Sequence, residues 1–156
     1  MLATAEHWLG PVLIGCLRWQ DLDPTTLENA LWTDLEWGHR QQLETLLPRQ
    51  VPIPSGRCAA LRYEEDEVVL AVKLQEMFGC AESPQLLDGR LPVTLELLSP
   101  AGRPLQRTCD LAGFWSGSYA DVRRDMRGRY PKHPWPEDPR QAIPTARTKR
   151  RPSRPN

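Results

Sequence analysis

The chain has 156 residues, enough for one core-bearing domain with a small annex. Charged residues make up 26% of it and hydrophobic residues 40%, which excludes a fibrous or wholly disordered protein. Its longest apolar run, residues 11–17, is too short to span a bilayer. The net charge of zero hides an asymmetry, because residues 121–156 hold eleven basic and four acidic side chains, a net +7 that the preceding residues balance with −7. The C-terminal quarter is therefore the part expected to attract an anion.

The first third of the chain is predicted to be helical. Residues 4–17 carry apolar side chains at helical spacing, although Gly10 and Pro11 should kink this helix or split it in two. A second helix should begin after Asp23, whose carboxylate can cap free amides, and should bend at Gly38. The pattern predicts a helical hairpin.

The middle of the chain is predicted to be a small antiparallel β-sheet. Residues 57–63 alternate between polar and apolar side chains, and residues 68–72 are apolar enough for a central strand, so the two runs predict a hairpin. One or two helical turns should follow over residues 73–79, and a second hairpin over residues 91–109. The element order is ββαββ, and the predicted fold class is α+β.

Two short helices are predicted after the sheet. Asp110 can cap the first, and Ser118 with Asp121 resembles a capping pair at the start of the second. On the second helix an apolar face that includes Tyr119 should be buried, and the outer face should expose four arginines. These arginines are Arg123, Arg124, Arg127 and Arg129.

Residues 128–139 hold four prolines and two aromatic residues, Tyr130 and Trp135. Each proline biases the residue before it away from helix, so this segment should be extended. An extended segment cannot bury its own rings, so Tyr130 and Trp135 either pack onto the preceding domain or are offered to a partner. Both arrangements are compatible with the sequence.

Beyond Pro139 the chain has no hydrophobic period and is expected to be disordered. The predicted organisation is a helical hairpin over residues 1–48, a small α+β domain with a proline-rich closing segment over residues 49–139, and a disordered basic tail over residues 140–156.

The four cysteines lie 42, 22 and 29 residues apart, without a CxxC pair or a histidine close behind. This spacing does not fit a zinc site. Their apolar neighbours predict small core residues in a reducing compartment, so a cytoplasmic location is expected. The cysteines are Cys16, Cys58, Cys80 and Cys109.

No motif for catalysis is found in the sequence. The phosphate-binding patterns GxxxxGK[ST] and GxGxxG and the nucleophile pattern GxSxG are absent. Two of the histidines, His7 and His39, fall on predicted helices and His133 on the proline-rich loop, and the acidic residues 64–67 fit a solvated turn better than a calcium loop. The sequence therefore predicts no catalytic residue, no metal site and no cofactor in this chain.

Basic residues near the C terminus are the candidate nucleic-acid contacts. Cations alternate there with aromatic rings, as on surfaces that bind single strands, and the tail carries charge that can neutralise phosphates without a defined shape. In the structural alternative, Asp121 pairs with Arg124 and Asp125 with Arg129, and the tail only aids solubility. The candidates are Arg123, Arg124, Arg127, Arg129, Lys132, Arg147, Lys149, Arg150 and Arg151, with Tyr130 and Trp135 as aromatic contacts or packing residues.

Six motifs, in order along the chain, carry a resemblance to a known family. They are WLGPVLIG, VPIPSG, VLAVKLQEMFG, LPVTLELLSPAGRPLQ, TCDLAGFW and GRYPKHPWPEDP. Together they resemble the C-terminal domain of the HrpB family of bacterial DEAH-type ATP-dependent helicases. The resemblance implies a parent enzyme that uses ATP and Mg²⁺, with RNA as its substrate and with its nucleotide-binding motifs in upstream helicase domains. None of those motifs matches a position here, so the resemblance assigns no catalytic residue to this chain.

Two functions of different classes follow. In the first, the chain is a non-catalytic accessory domain that helps its helicase to hold RNA or another single-stranded nucleic acid, with the upstream helicase domains of the same chain as neighbours. In the second, it is a protein-interaction or purely structural module. Tyr130 and Trp135 then fasten the proline-rich segment of residues 128–139 to the sheet, and an unidentified protein binds the acidic part of the chain before residue 121. An independent enzyme is disfavoured by the missing motifs, and no membrane partner is expected.

Overall fold

A computed structural model describes residues 5–146 of the chain. Within this range there are five α-helices and six β-strands, and most strand pairs are antiparallel, so the predicted α+β class is confirmed. The residues form two compact units that divide between Leu46 and Leu47. We call residues 5–46 the N-terminal unit and residues 47–146 the C-terminal unit.

The N-terminal unit is helical. Asp23 caps the second α-helix as predicted, because its carboxylate accepts a hydrogen bond from the backbone N–H of Thr26 at 2.9 Å. The helices are α1 (Ala5–Leu13), a 3₁₀ turn (Trp19–Asp21), α2 (Pro24–Asp34) and α3 (Trp37–Leu46).

Two predicted helix interruptions differ from the structure, since α1 is not split and the break after α2 lies earlier in the chain. Helix α1 runs through Pro11 as one element, since proline removes a single amide and the exposed backbone there can turn to water. The break between α2 and α3 falls at Leu35 and not at Gly38. Arg40 stabilises this break, because its guanidinium donates to the carbonyl oxygens of Leu35 at 2.7 Å and Thr33 at 2.8 Å, which the ended helix leaves without partners.

The C-terminal unit is built on one six-stranded sheet. Strand β5 lies parallel to β3, and antiparallel to both β4 and β6; β2 pairs antiparallel with β1 and with β3. The parallel pair needs a crossover, which holds a 3₁₀-helix (Leu74–Met77) and β4. The strands are β1 (Gln50–Pro52), β2 (Cys58–Tyr63), β3 (Val68–Lys73), β4 (Gln85–Leu86), β5 (Leu91–Leu98) and β6 (Pro104–Thr108).

The register of β3 against β5 builds the centre of the core. Val68 pairs with Val93 and Leu70 with Leu95, so alternate apolar residues of the two strands lie side by side on one face and are fully or almost fully buried. Val69 is buried as well, which agrees with the prediction of a central strand over residues 68–72.

Two helices cover this sheet, α4 (Leu111–Ser116) and α5 (Tyr119–Arg129). They bring Trp115 and Tyr119 into contact with ring centroids 5.3 Å apart at 87°, and Phe78 and Phe114 complete the aromatic cluster. Asp110 caps α4 through the N–H of Gly113 at 2.8 Å, as predicted. The predicted Ser118 cap of α5 is wrong, because its side chain makes no capping hydrogen bond.

In one ion pair the carboxylate is withdrawn from water, whereas the side chain of Arg57 is still 47% exposed. Glu76, in the 3₁₀-helix, is 2% exposed and accepts hydrogen bonds from Nε and Nη2 of Arg57, the latter at 2.8 Å, and from the N–H of Lys73 at 3.1 Å. The hydrogen bonds from Arg57 are the largest cause that holds the pKa of Glu76 below its ordinary value.

The prediction that all four cysteines are core residues is wrong. Cys58 and Cys109 are exposed, and Cys16 and Cys80 are half-buried; all four are free thiols. Cys58 alternates with the buried Ala59 along β2 and so lies on the outer face, and Cys109 follows the end of β6. Apolar neighbours in sequence did not place these side chains inside, because along a strand successive residues lie on opposite faces.

Candidate nucleic-acid interface

The chain after α5 folds back onto the C-terminal unit. We call residues 130–146 the closing segment. Trp135 is 6% exposed and joins the hydrophobic core, and its indole Nε1 donates to the carbonyl oxygen of Tyr130 at 2.9 Å. Tyr130 is half-buried against the same core. Of the two arrangements that the sequence left open, the structure has the inward one for Trp135, so this ring is not available to stack on a base.

Helix α5 is bound to the closing segment by two further residues. The Tyr119 hydroxyl donates to the carbonyl oxygen of Pro136 at 2.8 Å. Arg123 donates from Nε to the carbonyl oxygen of Trp135 at 3.0 Å and from Nη2 to the carboxylate of Glu137 at 3.0 Å. The prediction that Arg123 lies on the outer face of α5 is therefore wrong. It lies on the flank, one helical turn after the buried Tyr119, where the closing segment supplies carbonyl and carboxylate acceptors.

Two of the candidate arginines are paired along the helix. Arg124 lies 3.0 Å from the carboxylate of Asp121, and Arg129 lies 3.2 Å from that of Asp125. All four side chains are exposed, so each pair stabilises the helix by about 0.3–0.5 kcal/mol at most. These are the pairs of the structural alternative, and they compensate the charge of both arginines locally.

Arg127 and Lys132 are different from their neighbours. Both are exposed, and within residues 5–146 neither side chain makes a hydrogen bond or an ion pair. Arg127 borders a groove of about 550 Å³, where Pro131 and Pro136 form apolar walls and Glu137 supplies the opposing charge. Of the candidates on α5 and in the first part of the closing segment, Arg127 and Lys132 alone keep their full donor capacity.

A cation from the sheet also lies near the closing segment. The pKa of His133 is lowered, mainly because its ring is partly buried and secondarily because the positive charge of Lys73 lies near it. Both effects favour the neutral form of the His133 ring. Sequence reasoning missed Lys73, since it stands at the end of β3 and far from the basic region in the chain.

The last described residues are held in place. Gly79 donates its N–H to the carbonyl oxygen of Pro139 and Thr145 donates to that of Gln75, both at 2.9 Å, and Arg140 reaches the carbonyl oxygen of Ala112 at 3.1 Å. The prediction that disorder begins directly after Pro139 is wrong for residues 140–146, because Arg140 and Thr145 are hydrogen-bonded to the C-terminal unit and Ala142 packs against its core. The other tail candidates, Arg147, Lys149, Arg150 and Arg151, lie outside the described residues.

Residues 5–146 show no cluster of three or more histidine, cysteine, aspartate or glutamate side chains that could hold a metal ion. In the same part of the chain, no helix is long and apolar enough to cross a membrane.

Comparison with known proteins shows which family the chain resembles over most of its length. Residues 8–139 match the HrpB family of ATP-dependent helicase C-terminal regions. The chain belongs to this family. The resemblance carried by the six motifs is thereby confirmed.

Relatives of known structure share the fold of this HrpB C-terminal region. The ATP-dependent RNA helicase HrpB of Escherichia coli is 48% identical over 151 residues, which are 96% of this chain and 19% of that protein. A crystal structure of the E. coli DExH-box NTPase HrpB matches 94% of this chain and 18% of its own, at 48% identity and a TM-score of 0.78. A second, of the E. coli DEAH/RHA helicase HrpB, matches 86% of this chain and 17% of its own, at 45% identity and a TM-score of 0.61.

The chain spans about a fifth of the length of the relatives it matches. It corresponds to the C-terminal part of a much larger helicase chain.

Proposed function

We propose that this chain is a non-catalytic accessory domain of an HrpB-type helicase, and that it contacts nucleic-acid phosphates through Arg127, Lys132 and the basic tail. ATP and Mg²⁺ would be bound by the remaining helicase domains and not here. RNA is the proposed ligand, because the E. coli relative is named an RNA helicase.

The observation that carries this proposal is the selective pairing of the cations. Arg123, Arg124 and Arg129 are each engaged by a carboxylate, whereas Arg127 and Lys132 have no partner within residues 5–146. Unpaired, hydrated cations can exchange water and counterions for phosphate oxygens without breaking a bond inside the protein.

The contact is electrostatic and independent of sequence. Trp135 is buried and its N–H is already bonded, so the stacking platform that often accompanies single-strand binding is not formed by this residue. What remains is charge, and the net +7 of residues 121–156 supplies it. We therefore expect modest affinity with a steep dependence on salt.

Fluorescence anisotropy of the chain with a fluorescent single-stranded RNA, across a salt series, tests the proposal. Two phosphate contacts would give a slope of log K against log salt of about −1.4, and six contacts, with Arg147, Lys149, Arg150 and Arg151 included, about −4. Absence of binding at low salt, or binding that salt does not change, contradicts the proposal, because neutralised phosphates must release counterions.

A further inference from the structure

The N-terminal unit has no buried side chain among those described in residues 6–46. The C-terminal unit, by contrast, buries twenty hydrophobic residues. Helices α1, α2 and α3 have 9, 11 and 10 residues, which is shorter than the roughly 12–15 residues below which isolated helices are marginal in water. Since helices in proteins derive most of their stability from the packing of an apolar face, the N-terminal unit needs an apolar surface that its described side chains do not supply.

The N-terminal unit has an apolar groove of about 470 Å³ on its surface, which a partner could cover. Its apolar walls are Trp8, Leu31, Leu35, Leu43 and Leu46. Two of these are exposed although they are large and hydrophobic, Leu31 to 40% and Leu43 to 37%. The groove has room for several side chains of a partner. Anchor side chains that fill such a pocket supply much of the binding free energy of an interface.

Exposed apolar surface is concentrated in this unit. Of the eight large hydrophobic residues that are exposed in the described chain, six belong to the N-terminal unit, Trp37 and Ile14 among them. Of these six, Leu31 and Leu43 line the groove, and contiguous exposed apolar surface of this kind marks an interaction site.

The charge of the unit indicates the chemistry of its partner. Residues 1–46 contain seven acidic and two basic side chains, a net charge of −5. A surface with complementary potential is apolar at its centre and has lysine or arginine at its edge. The same negative charge repels a nucleic acid, so this groove is distinct from the proposed phosphate contacts.

We propose that the N-terminal unit docks, through this groove, onto an apolar surface with basic edges on the remaining part of an HrpB-type helicase chain. This inference rests on the proposed function, because it takes the chain to be one domain of that helicase. The length of the relatives supports the choice of occupant: about four-fifths of each lies outside the region matched here, so a large covalently joined surface is available. A joined partner binds at high effective concentration, so even a small groove would be occupied.

Hydrogen–deuterium exchange tests the docking. The backbone amides of α2 and α3 are compared in this chain alone and in the full-length helicase that carries it. We expect exchange to be at least about tenfold slower in the full-length protein, since packing that removes the unit from water raises the free energy of local opening. In the full-length protein Leu43→Ser should restore fast exchange, whereas Glu44→Ser, at the neighbouring exposed position outside the groove, should not.

Each result is decisive. Equal protection of α2 and α3 in the two proteins overturns the proposal, because the groove would then be covered within this chain or need no cover. Protection of the isolated chain that rises with its concentration also overturns it, in favour of a second copy. RNA anisotropy of the isolated chain is measured in parallel. If the isolated chain does not bind RNA but exchange is slow in the full-length protein, the phosphate contacts are rejected and the docking is kept. If the isolated chain binds RNA but exchange is equally fast in both proteins, the phosphate contacts are kept and the docking is rejected.

Discussion

Trp135 and Tyr130 are joined by a hydrogen bond from the indole Nε1 to the backbone carbonyl oxygen, 2.9 Å long, with the indole ring in the core. Trp135→Ala removes this ring and leaves a cavity, so we expect the free energy of unfolding to fall by about 3–5 kcal/mol. Urea unfolding followed by circular dichroism measures it. Ile143→Ala, in the same segment but 85% exposed, is the control and should change stability by no more than about 0.5 kcal/mol. An unchanged midpoint for Trp135→Ala would mean that the ring faces solvent.

Tyr119 makes the unit sensitive to alkali. Burial raises the pKa of its hydroxyl from 10.0 to about 12. The folded state therefore holds this proton more tightly than the unfolded state, and the resulting stability is present below pH 10 and is lost between about pH 10 and pH 12, by roughly 1.4 kcal/mol per pH unit.

Tyr119→Phe should remove that part of the slope, and at neutral pH it should cost about 0.5–1.5 kcal/mol for the hydrogen bond to Pro136. Unfolding by urea between pH 8 and pH 11 gives both quantities. Tyr63 has a raised pKa too, because it is partly buried, so some alkaline dependence will persist in the variant. A slope identical to that of the wild type would show that Tyr119 ionises equally in both states.

Glu76 should govern stability in acid. Its pKa is lowered from 4.5, so the contribution of the pair with Arg57 is present above about pH 4.5 and disappears as the pH falls through the lowered value. Glu76→Gln should reduce the free energy of unfolding by about 1–3 kcal/mol at pH 7, and by progressively less as the pH falls through the lowered pKa. The matched control is Glu67→Gln, whose pair with Arg107 at 2.6 Å is exposed and should be worth about 0–1 kcal/mol. Equal effects of the two substitutions at pH 7 would contradict the importance of burial.

Arg127 and Lys132 should set the salt dependence of RNA binding. The double variant Arg127→Gln/Lys132→Gln loses two phosphate contacts, so the slope of log K against log salt should become shallower by about 1.4. The control Arg103→Gln/Arg90→Gln makes the same change in net charge on exposed loops of the C-terminal unit. If the control changes the slope as much as the test variant, the binding is diffuse and not located at α5.

Strands β2, β3, β5 and β6 were predicted from the sequence, whereas β1, β4 and the order of the strands in the sheet were not. Alternation gives β2 and β5 directly, because one face of each is buried, whereas the parallel pairing of β3 with β5 depends on how the connection of residues 74–90 folds. No local pattern encodes that crossover. The two-residue strand β4 is likewise too short to carry a period.

The contacts of the candidate interface were likewise predictable where they are local in sequence and not where they are tertiary. Helical spacing predicted the pairs Asp121–Arg124 and Asp125–Arg129, which need only neighbours on one helix. The partners of Arg123 lie 12 and 14 residues away in an irregular segment, so only the folded chain shows that this arginine is engaged. Arg127 has no acidic residue three or four positions away, so its lack of a helical partner could be read from the sequence, whereas only the folded chain shows that Glu137 pairs with Arg123.

The double engagement of Arg123 sets folding and ligand binding in competition at one position of α5. A phosphate that bound this guanidinium would have to displace the carbonyl of Trp135 and the carboxylate of Glu137, both of which hold the closing segment. Its apparent affinity would be reduced by the small fraction of molecules in which the segment is released. One helical turn further on, Arg127 carries no such penalty, so the fold itself selects which arginine of the helix is free to bind.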